Sequence, residues 1–188
     1  MILTAGTDGH VAFYHPQENA GLTDTVNSSE TRMLERNSMH KIHQNTIHCI
    51  QDHRLSDGSS LLFTGGDDNA LGISRYYFEN PDVKPIGFSS LVIPRAHTAA
   101  VTGLVVLPLS GRSDSFWVVT GSIDQRLKLW EVVIDVRKRG VEGIEVRKLK
   151  NVFTPVADVS SLALMEVDGE PAIVVCGVGI DVWKIRRC

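Results

Sequence analysis

Histidine and aspartate recur in this chain at a spacing that could support acid–base chemistry. His43 stands 25 residues before Asp68, and His97 stands 27 residues before Asp124. An imidazole oriented by a carboxylate serves as the base of many hydrolases. Recurrence argues against that use, because an active site is needed once and a structural staple is needed in every repeated unit. The pairs are therefore expected to be structural, and no catalytic residue is assigned. His40, His43, His48, Cys49 and His53 are all chemically able to ligate zinc. Their spacing matches no structural zinc pattern, and His48 and Cys49 would face opposite sides of a strand. Gly177-Val178-Gly179 precedes a strand, so it offers no helix N-terminus to a phosphate. No G-x-S-x-G, Walker-type or H-E-x-x-H phrase occurs. No enzyme activity, metal, cofactor or small-molecule substrate is expected.

The aspartates belong to a phrase that the chain repeats. Residues 4–14, 64–74 and 120–130 each begin with a small-residue strand end and enter a turn carrying Asp8, Asp68 or Asp124. An apolar-polar-apolar strand follows each turn. Residues 175–183 form a shortened fourth copy that lacks the turn aspartate. Repetition on this scale, in short strands punctuated by glycine and proline, predicts an all-β blade array. From Asp8 to Asp68 is 60 residues and from Asp68 to Asp124 is 56, against roughly 40–45 for a typical blade. The excess is assigned to loops at 15–31, 79–90, 108–114 and 135–143, since loop-closure entropy rises slowly with length.

About thirteen strands and no helix are expected, in about 3.5 four-stranded blades. The units are 1–42 (a partial blade), 43–96, 97–154 and 155–188 (a degenerate terminal blade). In the last, Pro155 takes the place of the histidine and Gly177 that of the aspartate. Its strands are placed at 159–167, 172–176 and 180–185, with Leu162, Leu164, Ile173, Val175 and Val182 as its core. The outer strand of the 43–96 unit is placed at 91–95.

Composition narrows the setting. The formal charge of −3 over 188 residues provides no basic field that would attract nucleic acid by itself. Cys49, Cys176 and Cys188 are odd in number and far apart, which fits a reducing compartment and a cytoplasmic location. No apolar run approaches the roughly 18 residues that span a bilayer, so no membrane insertion is expected. The chain enters its repeat at a second strand, and on that ground is read as the C-terminal piece of something longer. An open array leaves raw sheet edges, so this piece is expected to be marginal alone. One local charge excess stands out: Arg137, Lys138, Arg139, Arg147, Lys148 and Lys150 outnumber Asp135, Glu142 and Glu145. A mobile basic hairpin there could touch phosphate through Arg137, Lys138 and Arg139. The plainer reading is a solvated edge whose charges prevent sheet-to-sheet aggregation.

With the repeat and the His–Asp pairs in hand, the chain resembles the WD-repeat β-propeller family over nearly all its length. That resemblance implies that His43 bonds Asp68 and His97 bonds Asp124. It further implies a threonine partner, Thr64 or Thr120, and an indole partner, Trp130. A narrower resemblance rests on three places: Ala96-His97 with residues 101–104, residues 122–127 with Trp130, and residues 155–158 followed by 179–183. In this order they resemble the C-terminal end of the WD-repeat accessory subunits of a tRNA 2′-O-methyltransferase. It implies a non-catalytic scaffold whose protein partner modifies the ribose of the anticodon wobble nucleotide. That partner would supply the S-adenosylmethionine site, and tRNA would be engaged through the complex. The alternative is a general WD-repeat protein–protein interaction module in another cytoplasmic complex, in membrane recycling or signalling.

Overall fold

A computed structural model describes residues 2–16, 34–78, 87–109, 111 and 114–185. Within them the chain runs through thirteen strands, in consecutive antiparallel meanders. The first sheet holds β1 (Ile2–Ala5), β2 (His10–Pro16) and β3 (Leu34–Lys41). The second holds β4 (Ile47–Arg54), β5 (Ser60–Gly66), β6 (Leu71–Tyr77) and β7 (Gly87–Ile93). β8 (Val101–Pro108), β9 (Ser115–Ser122), β10 (Arg126–Ile134) and β11 (Ile144–Phe153) form the third. β12 (Ala157–Val167) and β13 (Glu170–Lys184) form the last. A single 3-10 turn at Gly140–Gly143 leads into β11, and the described residues contain no α-helix.

Alternation along the central strands shows how the sheets are stacked. In β5, Leu61 and Phe63 join Phe116, Val118 and Trp130 of the third sheet, whereas Leu62 joins Val11 and Phe13 of the first. β8 divides in the same way. Leu104 and Val106 face the second sheet, while Val105 and Leu107 meet Val159, Ile173 and Val175 of the last. A sheet covered on both faces buries nearly every residue, and the period-two pattern disappears into a continuous apolar run. Where Gly65 passes β8 a side chain has no room: a Cβ there would lie 2.5 Å from Val101 Cγ1 across the interface.

Polar links cross the same interfaces. Gln51 Oε1 accepts from the Val106 amide at 3.0 Å, and Ser56 Oγ donates to Asp114 at 2.9 Å. The strongest such link is Arg75, whose side chain is completely buried between the second and third sheets. Its Nη2 donates to Asp57 Oδ2 at 2.6 Å and its Nε to Ser59 Oγ at 3.1 Å. Its Nη1 crosses to the third sheet and donates to the Lys138 carbonyl at 2.6 Å. The guanidinium's fork thus serves two sheets together, which a lysine could not do.

Several sequence expectations are corrected. β7 begins at Gly87 rather than near residue 91, because Gly87 and Phe88 pair with Tyr77 and Tyr76 of β6. The last unit, expected as three strands, has residues 172–176 and 180–184 joined within β13, so its sheet holds two strands. There β13 doubles back on itself: the Ile185 amide donates to the Pro171 carbonyl at 3.0 Å, and Lys184 Nζ to Asp168 at 2.8 Å. A straight strand would hold residues 171 and 185 roughly 45 Å apart. The reversal sits near Gly179, whose φ is +115°. Leu164 and Val182 are exposed, at 48% and 46%, rather than in the core; among the described residues no further sheet covers that face. The greater parts of the loops at 15–31 and 79–90 lie outside the described residues, as do Arg186, Arg187 and Cys188.

Replacing Arg75 with Ala removes the cation and leaves Asp57 and the crossing carbonyl without it. Loss of one partner of a buried pair costs about 3–5 kcal/mol, and the low end is expected because Asp57 retains solvent. Chemical denaturation of the variant measures it.

Candidate functional site

The two His–Asp pairs are in contact. His43 Nδ1 lies 2.7 Å from Asp68 Oδ1, and its Nε2 lies 2.8 Å from Thr64 Oγ1. In the third sheet His97 Nδ1 is 3.1 Å from both oxygens of Asp124, and its Nε2 is 2.8 Å from Thr120 Oγ1. There the chain extends one step further, because Trp130 Nε1 donates to Thr120 Oγ1 at 2.9 Å. The indole N–H can only donate, so the hydroxyl proton is directed to His97 Nε2, and Nδ1–H is directed to the carboxylate. In the second sheet Ser74 occupies the position of the tryptophan and bonds Ser90 instead, at 2.8 Å.

Local sequence explains why each aspartate is in place. All three repeated turns close by the same bond, Gly9 to Gly6, Asn69 to Gly66 and Gln125 to Ser122, at 3.1–3.3 Å. The aspartate side chain accepts the amide two residues on: His10 at 3.2 Å, Ala70 at 3.2 Å and Arg126 at 3.0 Å. This is the Asx-turn habit of aspartate. The residue after it takes positive φ, at +80° for Gly9, +64° for Asn69 and +57° for Gln125. That conformation aims its carbonyl at the next sheet. Gly9, Asn69 and Gln125 accept from the amides of His43, His97 and Thr154 at 3.1, 3.1 and 3.0 Å.

Turn, histidine and next turn therefore form one relay along a rim that spans all four sheets. The relay also corrects the alignment of the last unit. Thr154, fully buried, occupies the histidine's backbone position, and Pro155 follows it. The first turn differs too: Asp8 is exposed and its carboxylate meets His10 Nδ1 at 3.1 Å.

Both imidazoles are 1% exposed, and both ring nitrogens of each are occupied. The arrangement can hold loops together, and it leaves no ring atom for a substrate. Burial lowers the pKa of His97, opposed by Asp124, so the neutral ring is the folded form. Burial raises Asp124, but the amide of Thr98 and the ring of His97 outweigh it and hold the carboxyl below its ordinary value. Asp68 is likewise lowered, by the Gln44 amide and His43 against burial. Cys49 is pushed up to about 12 by burial, which makes it a packing residue and no nucleophile. Among the described residues no group of three or more His, Cys, Asp or Glu is gathered to hold a metal.

The basic segment is better held than a mobile hairpin. Arg137 Nε bonds Asp135 Oδ1 at 2.9 Å and remains highly exposed. Arg75 grips the Lys138 carbonyl from beneath, and the 3-10 turn begins at Gly140. Arg139 is exposed at the edge of a cleft with Tyr77 and Phe88. Arg75 itself was missed from sequence; the one available signal is a lone cation in the strand Leu-Gly-Ile-Ser-Arg-Tyr-Tyr. Lys128 was missed as well. It is buried and donates to the Ala96 carbonyl at 2.5 Å.

In comparison with known families, the model described as WD domain, G-beta repeat, matches residues 88–131. That segment runs from β7 into β10 and contains His97, Thr120, Asp124 and Trp130, the complete four-membered network. Comparison with curated proteins found no match. The family match and the four stacked sheets support a WD-repeat family, and the fold is a partial WD-repeat β-propeller. A WD domain supports a protein-binding scaffold. No helix among the described residues is long and apolar enough to cross a membrane.

Replacing His97 with Ala leaves Asp124 and Thr120 without their partner. The expected loss is about 1–3 kcal/mol of stability, read from urea unfolding of variant and parent. Acidification acts in two stages. Because the folded His97 resists a proton that the unfolded chain accepts near pH 6.5, its contribution is full above that pH and falls below it. Asp68 and Asp124, lowered in the fold from 3.8, lose theirs as pH falls through that value and beyond. Melting temperature measured from pH 8 to pH 3 should fall in both windows, and the upper step should shrink in His97→Gln.

Proposed function

We propose that the chain is a non-catalytic scaffold and accessory subunit for a tRNA ribose 2′-O-methyltransferase acting at the anticodon wobble nucleotide. The observation that carries the reading is the narrower resemblance, to the family of WD repeat-containing protein six, together with where its residues lie. Ala96-His97, residues 122–127 and residues 155–158 are distant in sequence but adjoin along the relay: His97 bonds Asp124, and the Gln125 carbonyl accepts from Thr154. Thr102 Oγ1 also donates to the Val159 carbonyl. Ile123, 46% exposed, presents an apolar contact on that rim, as a protein-binding surface requires.

In this reading His43, Asp68, His97 and Asp124 are blade staples. The chain divides into units 1–42, 43–96, 97–154 and 155–188. Arg137, Lys138 and Arg139 face RNA, and the complex works in the cytoplasm. Affinity purification of the tagged chain from its own cells should recover a ribose methyltransferase, and loss of the chain should lower 2′-O-methylation at the wobble position. Recovery of membrane-recycling or signalling proteins with no methyltransferase would support the general interaction module instead.

A further inference from the structure

We propose that the face of the third sheet formed by Arg126, Lys128, Lys148 and Phe153 docks a short acidic segment of a protein partner. A carboxylate of that segment bridges Arg126 and Lys148 above Lys128, and an apolar side chain packs on Phe153. The inference rests on the protein-binding part of the scaffold reading and states what the partner presents to it.

Strand pairing brings these residues together. Across β10 and β11, Arg126 pairs with Phe153, Lys128 with Asn151 and Trp130 with Lys148. Trp130 is buried toward the second sheet, and alternation along β10 puts Lys128 and Arg126 on its face. Their partners Lys148, Asn151 and Phe153 lie on that face too, on either side of the register shift between Leu129 and Trp130. The Arg126 guanidinium stands 5.8 Å from the Phe153 ring centroid. Arg147 belongs to the opposite face, where it bonds Glu131 at 2.6 Å.

Lys128 gives this face its affinity for an anion. Buried charges are ordinarily paired, yet the buried Lys128 ammonium donates to a carbonyl, that of Ala96 at 2.5 Å. The carboxylate that acts on it, Asp124, is already bonded by His97 and by the amides of Thr98 and Arg126. Burial lowers the pKa of Lys128 against the pull of Asp124, and Lys148 and Arg126 lower it further. Arg126 and Lys148 are exposed, and among the described residues neither forms an ion pair. A carboxylate from outside, accepting from the guanidinium fork and the Lys148 ammonium, neutralises this excess of like charge.

Phe153, 54% exposed, is the apolar anchor beside the cations. From Lys148 to Phe153 the strand covers roughly 17 Å, the reach of an extended segment of about five residues. Two solvent-facing cations are few for a nucleic acid, whose affinity grows with the number of phosphates neutralised. The chain's net charge of −3 adds no field to attract one.

Fluorescence anisotropy of a labelled octapeptide, Gly-Asp-Glu-Leu-Glu-Asp-Ser-Gly, tests the assignment on the full chain. The parent should bind it more tightly than the same peptide with Asn and Gln in place of Asp and Glu. Arg126→Gln and Lys148→Gln should each weaken binding about two- to fivefold, the range of exposed ion pairs. Phe153→Ser should weaken it by a similar factor, and Arg147→Gln should leave it unchanged. Thermal melts of each variant establish that it is folded. Equal binding of the acidic and neutral peptides overturns the assignment, as does unchanged binding by a folded variant carrying both Arg126→Gln and Lys148→Gln. A single-stranded RNA octamer that binds the parent more tightly than the peptide, and is lost in that double variant, overturns it in favour of a nucleic-acid face. A methyltransferase recovered equally by parent and double variant overturns the docking face alone. Peptide binding with no methyltransferase recovered overturns the methyltransferase reading alone.

Discussion

The buried imidazole is the constraint around which this structure is arranged. A histidine with both nitrogens enclosed must find a donor and an acceptor within the protein, since an unpaired buried polar group is costly. Thr64 and Asp68 meet that need for His43, and Thr120 and Asp124 for His97. To do so, the loop leading into a sheet must lie over the turn between its second and third strands. The same turn then directs a carbonyl to the loop that opens the next sheet. Each satisfied ring therefore sets the position of its successor, and the rim becomes one chain of directional bonds above three apolar interfaces.

Arg75 does comparable work away from the rim. It joins Asp57 and Ser59 in its own sheet to the carbonyls of the neighbouring 3-10 segment. A hydrophobic interface between sheets is non-directional and tolerates sliding, whereas a guanidinium fork demands partners at set angles. The rim relay and Arg75 thus hold the second and third sheets in register at two separated places. The segment following β10 is drawn onto the sheet next to it, and Arg139 is set at the edge of the cleft beside Tyr77.

The repeated aspartate turn was legible because it is local: its bonds span two or three residues, so the sequence phrase and the geometry coincide. The strand alternation of β5 and β8 and the His–Asp spacing were legible for a related reason, since each copy tests the others. Legibility failed where partners are remote. Nothing near Arg75 in sequence announces carbonyls more than sixty residues away. The last unit was misaligned by one residue at Thr154 because the histidine's side chain is missing there and only its backbone bond remains. Leu164 and Val182 were assigned to a core from their apolarity, although burial depends on whether another layer covers them.

By itself, the sequence determined an all-β array with an aspartate turn in three of its four copies and paired histidines in the middle units. Short-range steric and hydrogen-bonding preferences act on the order of residues within each copy, and the recurrence of that order marks the array. Only the tertiary structure decided which groups are sealed from water, which carbonyls face a buried cation, and which aromatic ring lines an open cleft. These properties depend on sheets separated by tens of residues meeting at a few ångströms. Local preference has no range over that distance, and packing has.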